Sequence, residues 1–451
     1  TPYNIQIDLE LEATMKRKSL KNLTRWSHST NRKPLVIRGA RQVGKSTLVQ
    51  LFAKQEGLTL HEINLERHSK MTPIFARLNP KEILNELEFL INKGPIQADQ
   101  SLLFLDEIQA IPEAMPALRY LHEERPNLRV VAAGSLLEFV LADHKFSMPV
   151  GRIEYLFLEP MSFEEFLEAA GESSLLNLLH TFQWSDKFPE SAHERLLNRL
   201  REYLLIGGMP EAVLRYLESE NQEEASAVHA SILETYRDDF SKYATKSERQ
   251  RIQKVYDYLP GAVGEKFKYV NVDPSEKSRT IKRALDLLIM ARIIRRYTHT
   301  DGTGFPLGAT LKPAHFKAFF LDVGLVNAAC GVTRMKADEL QAPDFINKGK
   351  IAEQFIAQHL PLLAPDDRAY VGTYWLREGK SNNAEIDFLI QLGSAVVPME
   401  IKAGKSGTLK SLLEFVHLRD LSLGVRIDTN VPGIQDVSHK RTQSKPNQRT
   451  E

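Results

Sequence analysis

Cysteine is nearly absent. Cys330 is the only one in 451 residues, so the chain cannot close an internal disulfide or build a Cys-rich zinc site, and a cytoplasmic, reducing setting is expected. Net charge is scarce as well: Lys+Arg total 59 and Asp+Glu 58, which leaves +1. No global field therefore points to nucleic acid or a membrane surface, although a balanced total can hide a local basic stripe. No apolar run approaches the roughly 18 residues that a spanning helix needs, and the opening TPYNIQIDLELEATMKRK has no apolar stretch of signal-peptide type. A protein with no membrane partner is expected. What is present is ordinary for globular chains, with 42% hydrophobic, 26% charged and 8% aromatic residues, and this excludes a wholly disordered or fibrous chain. At about 150 residues per domain, the length predicts three domains.

Residues 1–14 are acidic and carry no Met, whereas Met15 opens the basic run MKRKSLKNLTRW. The fold is expected to start there, with 1–29 serving as an extension and lead-in helix. From 30 to 160, short apolar runs (PLVIRG, SLLFLDE, RVVAAGS) alternate with longer mixed stretches, the pattern of βαβ units around a parallel sheet. From 161 to 240, SFEEFLEAA and HERLLNRLREYLL space their apolar residues three and four apart, which predicts helices, and YLLIGGMPEA breaks them with a tight turn. Residues 241–305 read as helical again and end in SRTIKRALDLLIMARIIRRY, where Ile281, Leu285 and Leu288 share a face and Ser278 is available as an N-cap. A compact helix-turn-helix or winged-helix module suits this stretch. Residues 306–425 return to mixed structure, with a helix in NKGKIAEQFIAQHL and strands in VGTYWLR, EIDFLIQL and AVVPMEIKA. A polar tail follows at 426–451.

The sharpest chemical signal is Gly39-Ala40-Arg41-Gln42-Val43-Gly44-Lys45-Ser46-Thr47, which fits G-x-x-x-x-G-K-S/T directly after the apolar run LVIR. Glycines let backbone N–H groups turn inward around phosphates, and the following helix presents the positive end of its dipole. In this pattern Lys45 reaches the β and γ oxygens and the Ser46 hydroxyl ligates Mg²⁺. Sixty residues on, Leu102-Leu103-Phe104-Leu105-Asp106-Glu107 reads as a buried strand ending in two carboxylates at the ligand edge of the sheet. Asp106 is then the candidate Mg²⁺ holder and Glu107 the group that polarises the attacking water. The run Val130 to Ser135 ends in a hydroxyl placed to sense the γ-phosphate or orient that water.

With these motifs the chain resembles the P-loop ATPases of the AAA+ type, specifically the bacterial and archaeal group with a C-terminal nuclease-like domain of uncharacterised function. GARQVGKST, LLFLDEIQ, AAGSLLEF, GRIEYLFLEPMSFEEF, YLLIGGMPEAV, KAFFLDVGL and EIDFLIQLGSAVVPMEIKAG carry the resemblance. It implies an α/β P-loop NTPase sheet, then a helical and winged-helix module, then a second α/β domain of PD-(D/E)XK nuclease-like type. It also implies that Ser135 stands at the first sensor position, and that Arg152 is a candidate for the charge that reads the γ-phosphate, in many such proteins from a neighbouring subunit.

In the C-terminal part, Glu385 and Asp387 share a strand face, as do Glu400 and Lys402. An antiparallel hairpin brings Asp387 beside Glu400, an acidic pair suited to Mg²⁺, with Lys402 able to position water or stabilise phosphodiester charge. The pattern resembles the D…E-x-K motif of the PD-(D/E)XK fold, in which Glu353 on the preceding helix matches a further acidic residue. In the middle module, Lys277, Arg279, Lys282, Arg283, Arg292, Arg295 and Arg296 could neutralise phosphates of DNA or RNA. Two functions are compatible with these signals. One is a Mg²⁺-dependent ATPase coupled to a nuclease-like domain. The other is a nucleotide-gated switch, open to oligomers or protein partners, whose C-terminal domain is catalytically inert.

Overall fold

The apolar runs of the first third lie side by side in a computed structural model that describes residues 15–142, 151–332, 348–365, 367–378 and 383–437. The expected extension at 1–14 and the tail from 438 on lie outside the described residues. Strands β1 (Leu35–Arg38), β2 (Thr59–Asn64), β3 (Ser101–Asp106), β4 (Arg129–Gly134) and β5 (Glu154–Phe157) form one sheet in the order β2-β3-β4-β1-β5. Every pairing in it is parallel. β3 and β4 are buried along nearly their whole length, as continuous apolar strands require when both faces are covered. On one face, helices α1 (Ser19–His28) and α2 (Lys45–Gln55) place Leu23, Trp26, Leu48 and Phe52 against Ile37 and Phe104. On the other, Leu103 and Leu105 meet Leu118 and Leu121. Because the strands run the same way, the loops after β1, β3 and β4 open at one edge.

The helical region begins beyond β5. Helix α3 (Glu190–Ile206) stops at Gly207, whose φ of 71° and ψ of −163° belong to glycine alone. A Cβ there would also collide with the Asp322 carboxylate. Pro210 opens α4 (Pro210–Ser219), where its missing N–H costs nothing, and Asn221 caps α5 (Gln222–Tyr243) by accepting from the Glu223 N–H at 3.0 Å. This is the break that YLLIGGMPEA predicts.

Helices at Lys246–Tyr258 and Tyr269–Val272 lead to α6 (Ser278–Met290), which buries Ile281, Leu285 and Leu288 as their spacing predicts. Two details differ from the sequence expectation. Lys277, not Ser278, occupies the N-cap, without a side-chain hydrogen bond. The helix also ends at Met290, the chain turns at Arg292 with φ 60°, and the text expected to stay helical becomes strand β6 (Ile294–Thr300). β6 pairs antiparallel with β7 (Leu311–Phe320) and parallel with β8 (Gly372–Arg377). Pairing with strands remote in sequence, helped by β-branched Ile294, Thr298 and Thr300, overrides the local helical period.

β9 (Ala384–Leu392), β10 (Ala395–Ile401) and β11 (Val425–Ile427) complete a mixed sheet in the order β11-β10-β9-β8-β6-β7. This sheet crosses both boundaries drawn from the sequence. β6 precedes the expected start at 306, and β11, parallel to β10, enters the stretch from 426 expected as tail. Helices α7 (Val323–Ala329) and α8 (Lys348–His359) pack this sheet toward the helical region, and one apolar core runs from Phe52 through Tyr203 to Phe319. No helix among the described residues is long and apolar enough to cross a membrane.

Candidate functional site

At the open edge of the first sheet, the loop from Gly39 to Gly44 curls over the N-terminus of α2. Gly44 at the N-cap has φ 88° and Gln42 φ 64°, so the turn exposes successive N–H groups at the helix start. Gly39 is packed so closely beneath Leu158 that no side chain would fit, and Ala40 and Val43 are buried. Lys45 is also buried, and its ammonium folds back onto the carbonyls of Ala40 at 2.7 Å and Gly39 at 3.1 Å. Burial lowers it to about 8. A cavity of about 370 Å³ opens in front of this loop, lined among others by Lys45, Ser46, Thr47, Asp106, Glu107 and Ser135, with Pro210 and Leu214 of α4 across from them.

The Ser46 hydroxyl donates to Asp106 Oδ2 at 2.9 Å, so the two groups expected to hold Mg²⁺ stand together at the ends of α2 and β3. Burial raises the Asp106 carboxyl. Glu107 follows in the left-handed region, φ 49°, which turns its carboxylate into the cavity. Its Oε2 accepts from the Ser135 hydroxyl at 3.2 Å and from the Gln109 amide. Burial alone would raise Glu107, but the Gln109 hydrogen bond and the charges of Lys45 and Arg41 hold it below the usual range. Ser135 thus faces Glu107. The arrangement suits a hydroxyl-and-carboxylate cation site beside a phosphate loop, with a second carboxylate lining the same cavity.

Arg152 lies elsewhere. Its guanidinium pairs with Glu123 at 3.1 Å, half exposed, and does not line this chain's own cavity. Two arginines do line it, Arg17 from outside the motif and Arg41 from within the loop. Arg17 is buried and donates to Val43 O at 2.9 Å, Glu159 O at 2.6 Å and Glu165 Oε1 at 3.2 Å, bracing the loop from behind. Arg41 extends from the loop to Asp239 of α5 at 2.9 Å. Only the basic run after Met15 hinted at Arg17, and nothing local marks Asp239.

The second constellation forms on the other sheet. The β9–β10 register pairs Phe388 with Met399, which carries Asp387 across from Glu400, as the hairpin expectation required. A lysine outside the expected motif joins this cluster. Lys317 of β7, only 2% exposed, places its ammonium between Glu353 Oε2 at 3.0 Å, Glu385, and Asp387 Oδ1 at 3.9 Å, with the Tyr374 ring 5.5 Å away. Asp387 Oδ2 accepts from the Ile401 N–H at 2.7 Å, and the Lys402 ammonium pairs with Glu400 Oε1 at 2.5 Å. Burial pushes Glu353 up to about 7 and raises Asp387 and Glu400. Burial also disfavours the Lys317 charge, but Glu353, Glu385 and Asp387 overcome it and hold the ammonium above the ordinary lysine value. No group of three or more His, Cys, Asp and Glu side chains among the described residues is arranged to hold a metal ion. Asp387 and Glu400, expected as Mg²⁺ ligands, stand across the hairpin from each other, with one oxygen of each held by the Ile401 N–H or the Lys402 ammonium, while Glu400 Oε2 is buried with no hydrogen-bond partner.

The basic residues of the middle module divide into two sets. Arg292 pairs with Glu138 at 2.8 Å, Arg295 with Glu159, and Arg296 with Asp286 at 2.7 Å, all within the fold. Lys277, Arg279, Lys282 and Arg283 are exposed around the start of α6.

Residues 31–167 match a family model described as AAA domain. Two further models, each described as a domain of unknown function, match residues 197–336 (DUF8612) and 348–437 (DUF4143). No curated protein matches. Among solved structures, the Aeropyrum pernix ORC1 protein in complex with DNA is similar at 12% identity, covering 71% of this chain and 92% of that chain with a TM-score of 0.29. The Thermotoga maritima RuvB Holliday junction branch migration motor is similar at 14% identity over 64% of this chain and 89% of its own, TM-score 0.27. A signal transduction ATPase with numerous domains from Pyrococcus horikoshii is similar at 14% over 76% and 48%, TM-score 0.26. Scores this low fall short of a shared overall arrangement.

Proposed function

Residues 31–167 are a P-loop nucleotide-binding domain of AAA type, and from that premise we propose that the chain binds ATP with Mg²⁺ and hydrolyses it at the edge of the first sheet. The observation that carries this reading is the Ser46–Asp106 contact at 2.9 Å beneath a glycine-turned loop, with Glu107 facing the same cavity. Lys45, Thr47 and the loop N–H groups from Gly39 to Gly44 hold the phosphates, and Ser46 and Asp106 hold Mg²⁺. The ion supplies neutralisation of phosphate charge. Glu107 takes the proton of the attacking water, and the Ser135 hydroxyl orients Glu107. Lys45→Ala is expected to weaken ATP binding by about 10²-fold or more, because a buried cation can no longer reach the phosphate oxygens. Calorimetric titration of the full chain with MgATP reads this directly, and unchanged affinity in the variant would sink the reading.

A specific observation favours a nucleotide-gated module over a coupled nuclease for the C-terminal part. The Lys317 ammonium already compensates Glu353, Glu385 and Asp387, and Lys402 is tied to Glu400. A fold of nuclease-like type that serves as a binding or coupling domain accounts for this arrangement, and fold alone does not bring chemistry with it. A winged-helix-like shape for the middle module is supported by three helices leading into the antiparallel β6–β7 pair, and DNA or RNA contact by the exposed Lys277, Arg279 and Lys282. The full chain with Mg²⁺ is expected to leave single-stranded, duplex and branched DNA and RNA uncut, with or without ATP. Cleavage that disappears in Asp387→Ala would restore the nuclease reading.

A further inference from the structure

We propose that Arg41 supplies, from within the same chain, the cation that faces the γ-phosphate during hydrolysis, the place for which sequence offered Arg152. The inference rests on the ATPase reading above and names a further residue of that site.

The Arg41 backbone is fixed, because the loop is turned at Gln42 and Gly44 and the Tyr236 hydroxyl donates to Arg41 O at 2.9 Å. Its side chain leaves that anchor along the cavity. One guanidinium nitrogen lies 2.9 Å from Asp239 Oδ1 and another 3.9 Å from Glu107 Oε1, so the charge is held between α5 and the carboxylate beside which water must be activated. Asp239 is buried and has a second cation, Lys242, at 3.3 Å. Arg41 can therefore turn toward an arriving anion without leaving that carboxylate unpaired, which lowers the cost of the movement.

The other arginines are placed differently. Arg17 spends its nitrogens on two backbone carbonyls and Glu165 while buried, an arrangement that braces and does not move. Arg152 is engaged by Glu123 outside the cavity. Among the described residues that line the cavity, Arg41 is thus the guanidinium whose length, partial exposure and second-partner arrangement permit contact with a terminal phosphate.

In the step this serves, the water oxygen bonds to the γ-phosphorus and the water proton passes to Glu107. The bond from the γ-phosphorus to the bridging oxygen breaks, and ADP leaves with that electron pair. Arg41 faces the non-bridging γ-oxygens, where charge is spread in the transition state, and a planar guanidinium meets two such oxygens where an ammonium meets one.

The test compares wild type, Arg41→Ala, Arg41→Lys, Arg41→Gln and Arg152→Ala as full chains, measuring single-turnover ATP hydrolysis and the affinities for ATP and ADP. Arg41→Ala is expected to slow hydrolysis by about 10²-fold or more and to weaken ATP while leaving ADP within about threefold, with Arg41→Lys recovering part of the rate. Arg41→Gln, which keeps a donor for Asp239, gives the same reading should the alanine variant fail to fold. Hydrolysis at the wild-type rate in the Arg41 variants overturns the proposal. So does an equal loss of ATP and ADP affinity at an unchanged hydrolysis rate, since that is the signature of a tether between the loop and α5, and so does a rate loss confined to Arg152→Ala. A wild type that binds no ATP overturns the ATPase reading itself, and this inference with it.

Discussion

Glu107→Gln is expected to lower ATP turnover by about 10²- to 10⁴-fold, the range lost with a positioned general base, while ATP affinity stays within a few-fold. The geometry separates the two effects. Glu107 sits in the left-handed backbone region, and its carboxylate lines the cavity within the field of Lys45 and Arg41. Glutamine has the same size and can still accept from the Ser135 hydroxyl, so the pocket keeps its shape. What is removed is an ionised acceptor: Gln109, Lys45 and Arg41 hold the Glu107 carboxyl below its usual range despite burial, so it is ready to take a proton near neutral pH. Phosphate release together with nucleotide retained after gel filtration measures both sides. A variant that loses binding and turnover equally would show that Glu107 shapes the pocket and does no chemistry.

Lys317→Met is expected to cost about 3–5 kcal/mol of stability, the penalty for removing one partner from a buried ion cluster. Methionine fills similar volume, so the loss is electrostatic. Glu353, Glu385 and Asp387 would remain around an apolar side chain, with their charged forms no longer compensated. The pH dependence follows from the sign of the shifts. Burial already pushes Glu353 up to about 7 and raises Asp387, and removal of Lys317, which lowers both, raises them further. A carboxyl whose folded pKa is raised contributes stability that is fully present below its unfolded value and is lost as pH rises through the folded value. The deficit of Lys317→Met relative to wild type should therefore be largest near pH 8 and shrink as pH falls toward 5. Thermal unfolding across that range checks it, and a deficit that grew in acid would mean that Lys317 is not the counter-ion of this cluster.

How far these sites could be read from sequence depended on how local their determinants are. Gly39 to Thr47 carry their own turn chemistry and helix start, so the phosphate loop was visible from nine residues. Leu102 to Glu107 combined a buried-strand pattern with its polar end, and the hairpin of β9 and β10 followed from alternation across a short turn. β6 was hidden because the residues of ARIIRRY satisfy a helical period, and only β7 and β8, remote in sequence, make them a strand. Lys317 had no signal of its own. One lysine in an apolar strand text looks like a solvated edge until Glu353 of α8 and Glu385 and Asp387 of β9 close around it. Asp239 is invisible for the same reason and Arg17 shows only as part of a basic run, since each acts on the loop from more than twenty residues away.

The most direct measurement is Mg²⁺-dependent phosphate release from ATP by the full chain, run beside Lys45→Ala. Turnover by wild type that vanishes without Mg²⁺ and in Lys45→Ala is the predicted result. Turnover that survives in Lys45→Ala, or a wild-type chain that releases no phosphate, would contradict the assignment of ATP hydrolysis to this cavity.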